Sequence, residues 1–359
     1  MIRGCALVTI AVVLSIPTAA SECPGLLSSL VIERVPDGGE PAEPARILDV
    51  AADGTLGAAV HPDGVVVFDL TDPTDPAIIG TSPEGEWSAP TWDPPRCIAL
   101  SGRTALVCDW HRDEVVIFDL TDPQAIEVVA RVPADGVHDV AVVGSIAYVA
   151  AGSLHVLDIT DPSQPVELGS YATRSWAPSV AVDHPWAYVT EWTEGLFVGL
   201  HVIDVSDPAN PTGVGEALDE DLSCCGSVAV SDGWVYVADA LVEGIGFLNL
   251  VDARDPRAPV ERGVDEFIPA HSVEVIGSSL LVSRDAGGSR PGGVSQFRIN
   301  DTGQPRFVGH REMAWGRIAK AGDVALVAGG ESGVLVVRPC VSHGPTLSEG
   351  RRDGPVAVR

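Results

Sequence analysis

Leu154-His-Val-Leu-Asp-Ile-Thr-Asp-Pro162 decides how the rest of the chain reads. Its first residues form a short β-rich run, and Asp158, Asp161 and Pro162 end that run in a corner. Proline presets φ for a turn, and an aspartate side chain accepts hydrogen bonds from backbone N–H groups just beyond it. The corner recurs as Asp69-Leu-Thr-Asp72-Pro73, Asp119-Leu-Thr-Asp122-Pro123, Asp204-Val-Ser-Asp207-Pro208 and Asp252-Ala-Arg-Asp255-Pro256. Arg298-Ile-Asn-Asp301 is a degraded copy, and Arg338-Pro339 marks the same point once more. Seven marks spaced ~45 residues apart have the period of a propeller blade.

What surrounds each corner completes the unit. Asp139–Ala150 reads as two short runs around a glycine turn, Ser153–Asp158 as a third strand and Pro165–Gly169 as a fourth. Ser179–Thr190, Ser227–Ala238, Ser272–Ser283 and Arg317–Ala328 match the first pair. The expected fold is all-β, a seven-bladed β-propeller of four-stranded antiparallel blades over residues 46–342. A calcium site is the functional alternative for the corner, but two carboxylates fall short of the six to eight oxygens calcium takes.

Leu154–Pro162 and Leu200-His-Val-Ile-Asp-Val-Ser-Asp-Pro208, with the preceding Val-Ala-Val and Ala-Tyr-Val-Ala elements, resemble the repeat of LVIVD-repeat propeller proteins. The resemblance spans residues 46–340. It implies an exported propeller and carries almost no chemistry. More distantly the chain is similar to periplasmic seven-bladed propellers that include metal-dependent oxidases, but no motif transfers that activity.

The seventh unit holds only three strands before Cys340. The N-terminal segment 21–45 should therefore supply the missing one. Leu30-Val-Ile-Glu-Arg-Val-Pro36 resembles the fourth strand Glu127-Val-Val-Ala-Arg-Val-Pro133 and is the candidate. That arrangement puts Cys23 and Cys340 at the same end of neighbouring strands, ready for a ring-closing disulfide. Cys97 and Cys108 flank a hairpin that turns at Gly102-Arg103, which sets them opposite each other. Cys224 and Cys225 remain, as a vicinal disulfide, a labile redox or metal-binding pair, or an intermolecular link.

Compartment and charge agree with this reading. Residues 1–20 carry Arg3, a short apolar run and Thr18-Ala19-Ala20, the pattern of a signal peptide too short to span a bilayer. Glu22 before Cys23 is not the small residue that lipoprotein processing takes, so soluble export is expected, periplasmic, secreted or at the cell surface. Without Cys5 six cysteines are left, an even set that suits an oxidising compartment. Residues 343–359 read as a loose tail. The 359 residues hold 22 Lys+Arg against 50 Asp+Glu, a net charge of −28. Such a surface repels nucleic acid and anionic membranes.

Propeller ligands are expected where the loops entering each inner strand meet the loops between second and third strands. The entering ring is Leu48-Asp49, Arg96-Cys97, His138-Asp139, Pro178-Ser179, Gly226-Ser227, His271-Ser272 and Gly316-Arg317. Trp92, Trp176 and Trp315 lie in the incoming loops. Arg96, Asp109, Trp110, His111, Trp192, Arg284 and Asp285 are the candidate binding residues. His138, Asp139 and His271 are the candidate metal ligands, for zinc, copper or iron. His155 and His201 hold corresponding third-strand positions and read as packed or exposed side chains. There is no Gly-x-Ser-x-Gly elbow, no His-Glu-x-x-His helix and no phosphate loop. The reading that results is a monomeric exported binding module that needs no cofactor, with a protein, small-molecule or glycan partner. The alternative is a periplasmic metalloenzyme centred on His138 and His271.

Overall fold

The computed structural model describes residues 12–13, 23–34, 43–83, 97–192, 199–218, 225–240, 246–263, 270–284 and 292–340. Six four-stranded antiparallel meanders occupy residues 49–81, 97–133, 139–171, 176–217, 225–262 and 272–312. They are blades 1 to 6. Blade 7 takes Ile318–Ala321, Val324–Ala328 and Val334–Arg338 from the end of the chain and Gly25–Val31 from its beginning. No helix is present among the described residues, and none could cross a membrane.

Blade 3 shows how sequence becomes blade. Asp139–Val143 pairs with Ile146–Ala150 across a turn at Gly144, then come Leu154–Asp158 and Val166–Tyr171. The second and third strands are nearly all apolar because neighbouring blades cover both their faces. The core accordingly lies between blades. Tyr148, Leu154 and Val156 of blade 3 pack with Val180, Val189 and Ile203 of blade 4, all buried. Each fully buried aliphatic side chain stabilises such a contact by about 1.5–3 kcal/mol.

The corners work as the aspartates promised. Asp158 Oδ1 accepts Thr160 N–H and Asp161 Oδ1 accepts Ser163 N–H; Asp69, Asp72, Asp204 and Asp207 repeat the pattern. These bonds hold the Asp69, Asp158 and Asp204 carboxyls below the ordinary range, the Thr71, Thr160 and Ser206 hydroxyls acting first. In the degraded corner Asn300 takes over, its Oδ1 receiving Thr302 N–H. The corners at Pro73, Pro123, Pro208 and Pro256 also dock on the preceding blade. Fourth strands bulge opposite third strands, and a glycine there, Gly80, Gly169 or Gly215, admits the carbonyls of Pro123, Pro208 and Ala209, or Pro256. At the ring closure Ser28 replaces the glycine and donates its hydroxyl to Pro73 O at 2.8 Å.

One expectation needs correction. The closing strand is Gly25–Val31, not Leu30–Pro36, and Leu30 stands opposite Val334. Val334–Arg338 selects its partner by burying Leu26 and Leu30, while the Arg-Val-Pro likeness to blade 2 concerned an exposed strand end. Both expected disulfides form. Cys23–Cys340 spans the closure with a Cα–Cα distance of 5.8 Å, and Cys97–Cys108 joins directly opposed residues 5.2 Å apart. Gly102, at φ 55°, makes the intervening turn. Cys224 and the Cys225 side chain lie outside the described residues, as do nearly all of segment 1–20 and the tail.

Candidate functional site

The entering ring does close around a central channel of about 280 Å³, lined by Asp49, Asp139, Ser179, Ser227, Ser272 and Arg317 among others. Its side chains are occupied in an orderly way. Ser179 Oγ accepts Val228 N–H, Ser227 Oγ accepts Val273 N–H, and Ser272 Oγ accepts Ile318 N–H. Each ring residue thus satisfies the inner edge of the next blade. Cys97, locked in its disulfide, and Arg317, which has no acceptor, break the pattern. After each of them stands an aspartate, whose two oxygens do both jobs. Asp49 accepts Val50 N–H of its own strand and Ile98 N–H of the next; Asp139 accepts Val140 and Val180 N–H.

Arg317 lies 3.7 Å from Asp139 across the channel. Burial works against its charge, but Asp139 and Asp49 outweigh it and hold the guanidinium protonated. Burial pushes the Asp49 carboxyl up to about 7, with Arg317 pulling the other way. Glu274, also on the channel wall, is raised to about 7 by burial. This is an electrostatically crowded, narrow passage.

Above the ring, one register step outward, lie Asp109, Glu191 and Arg284, each directly after the residue paired with the ring. Asp109 is buried; its Oδ1 accepts Arg112 N–H and its Oδ2 has no partner among the described residues. Glu191 Oε2 bonds His201 Nε2 at 2.5 Å.

The aromatic side chains at this face form a row. His111 stacks on Trp110 with ring centroids 4.7 Å apart, Trp110 stands 6.5 Å from His138, His138 6.1 Å from Trp176, and Trp176 5.5 Å from Trp192. The row crosses blades 2, 3 and 4, and Trp176 is 45% exposed. Trp110, His111 and Trp192 are therefore brought together, and Trp176 joins them. Single residues could be picked from the sequence, but their contact depends on the inter-blade angle.

The proposed metal ligands are placed differently. His138 belongs to the aromatic row, Asp139 is engaged within the ring, and His271 packs edge-on against Trp315 at 5.1 Å. Burial, aided by Arg317, lowers His271 to about 4, so its ring is neutral. Among the described residues no group of three or more His, Cys, Asp or Glu is arranged to hold a metal ion. Arg96, Trp92 and Asp285 lie outside the described residues.

Three stretches, 136–173, 176–219 and 225–262, match the family model of the LVIVD repeat. The chain carries LVIVD repeats. They coincide with blades 3, 4 and 5, while the flanking blades share the architecture without matching. No curated protein matches the chain. Among solved structures it is similar to a protein from Lactobacillus plantarum, at 10% identity and a TM-score of 0.60 over 86% of this chain and 94% of that one. A functionally unknown protein from Desulfotomaculum acetoxidans aligns at 14% identity and 0.57, over 83% and 93%. The computationally designed Ika8 protein aligns at 13% and 0.57, over 87% and 92%. These likenesses describe the fold alone.

Proposed function

We propose that this LVIVD propeller is an exported binding module that engages a protein, small-molecule or glycan ligand at the loop face over its channel. The observation that carries this is the aromatic row from His111 to Trp192. Indole and imidazole rings offer large, rigid contact area with little entropy to lose, the composition of binding hot spots. The two disulfides support export, since such bonds persist in oxidising compartments. The narrow channel below, bridged by Arg317 and Asp139, favours the face over the bore as the place of contact.

Screening the purified protein against glycan and peptide arrays, then repeating each hit with Trp176→Ala and Trp315→Ala, tests the reading. Hits should weaken at least ~10-fold with Trp176→Ala and persist with Trp315→Ala. Binding indifferent to Trp176 would reject the row as the site. A stoichiometric transition metal in the native protein, lost in a His138→Ala/His271→Ala variant, would replace this reading with the metalloenzyme.

A further inference from the structure

Blade 3 carries a second constellation at the edge of the same face. Ser153 Oγ lies 2.9 Å from His155 Nε2, and His155 Nδ1 lies 2.9 Å from Glu167 Oε1. Ser153 ends the loop between second and third strands, His155 lies two residues on and hence on the same face of the strand, and Glu167 reaches across from the fourth strand. His155 is 27% exposed at its side chain, open to solvent without being loose.

We propose that Ser153, His155 and Glu167 form a nucleophile–base–acid set that hydrolyses small esters. The geometry assigns the roles. The Glu167 carboxylate accepts the Nδ1 proton, which fixes the tautomer and leaves the Nε2 lone pair facing the Ser153 hydroxyl. Ser153 Oγ attacks the ester carbonyl carbon while its proton passes to Nε2. The tetrahedral intermediate then breaks its carbon–alkoxy bond, and the departing alkoxide takes that proton, leaving an acyl-serine. Water attacks the acyl carbon, gives a proton to Nε2, and Ser153 leaves with that proton as the acid is released. One ester and one water become one acid and one alcohol, with no other reactant.

Two surrounding features favour this over a surface polar contact. The Ser153 backbone N–H, on the nucleophile itself, is the candidate donor for the oxyanion. The loop also abuts the aromatic row: a Cβ at Gly136 would lie 3.7 Å from Gly152 N and 4.0 Å from Trp176 Cδ1. Thr173 Oγ1, 3.2 Å from Gly152 O and 2.6 Å from Ser175 O, ties that loop to the segment leading into Trp176. An aryl or short acyl group of the ester would rest against Trp176. Blade 4 is the internal control. Gly199 stands where blade 3 has Ser153, and His201 Nε2 faces Glu191, so among the described residues no hydroxyl takes the place of Ser153 there.

The test is labelling of the full chain with a fluorophosphonate probe, with peptide mapping, alongside hydrolysis of p-nitrophenyl butyrate. A single adduct on Ser153 is expected. Ester turnover should fall at least ~100-fold in Ser153→Ala and in His155→Ala. Glu167 is a positioning residue: Glu167→Gln should slow labelling and displace the pH profile, while melting stays unchanged. Absence of the adduct on a protein with normal melting would overturn the proposal, as would turnover that survives Ser153→Ala. The inference goes beyond the binding module, and its failure leaves the array result with Trp176→Ala untouched.

Discussion

Ser179 donates its hydroxyl to Asp139 Oδ2 at 2.7 Å, so the first strand of blade 4 is held by a carboxylate of blade 3. The same oxygen takes Val180 N–H at 3.1 Å, while Oδ1 serves Val140. Asp139 thus repairs the gap left by Cys97 and also faces Arg317. It is the most heavily committed side chain of the ring.

Asp139→Ala should destabilise the protein by about 3–5 kcal/mol, the cost of stripping one partner from a buried pair. Asp139→Asn keeps a carbonyl oxygen for one N–H and should cost less. Urea unfolding of the two variants, measured side by side, decides the order.

Stability should fall as pH rises from ~4.5 to neutrality. Asp49 and Glu274, raised to about 7 by burial, keep their protons in the folded chain when the unfolded chain has lost them. Their contribution is complete below pH ~4 and lost as pH passes ~7. His271, depressed to about 4, contributes above its ordinary value and loses that as pH falls. Two acids outweigh one imidazole between pH ~4.5 and ~7. The melting temperature should drop over that window, and Asp49→Asn with Glu274→Gln should flatten the slope whatever it does to the absolute value.

The two disulfides should differ in worth. Cys23–Cys340 closes a separation of 317 residues and Cys97–Cys108 one of 11. In the chain-entropy picture the former contributes more than ~4.7 kcal/mol and the latter about 3. Serine pairs replacing each in turn, compared by thermal melting, should rank in that order.

Gly169→Ala should cost about 1–3 kcal/mol through overpacking, because a Cβ there would come within 2.6 Å of Ala209 O and 2.8 Å of Pro208 O. A Cβ at Gly263 would meet nothing within 4 Å among the described residues, and its alanine variant should melt like the wild type.

Local chemistry explains what was legible. The corners were readable because an aspartate bonds its own turn two residues on, and the Cys97–Cys108 pair because both cysteines flank one hairpin. The docking glycines were in plain view four residues after Pro76, Pro165 and Pro211, but only the neighbouring blade gives them meaning. Leu30–Pro36 resembles the exposed fourth strand of blade 2, whereas the closing register follows burial of Leu26 and Leu30 against Val334–Arg338, which only the fold reveals. Asp49 and Asp139 stood in the candidate ring, yet their double duty depends on which residue the preceding blade presents. Ser153 and His155 shared a strand face from the start. Glu167 reaches them through the bulge of its strand, a shift no spacing reveals.

Blade 7 joins Gly25–Val31 to Val334–Arg338, and this sets a timetable. Gly25–Val31, made early, waits for Val334–Arg338 before it can join its blade, while Val334–Arg338 pairs at once with Val324–Ala328 on one edge only. Loop closure over such a span is entropically slow. Meanwhile Val334–Arg338 presents the bare edge of an apolar strand, the template on which chains misassemble with one another. Yield on refolding should therefore depend on protein concentration more steeply than the stability of the finished ring would suggest, and a segment 25–31 peptide added in excess should rescue it.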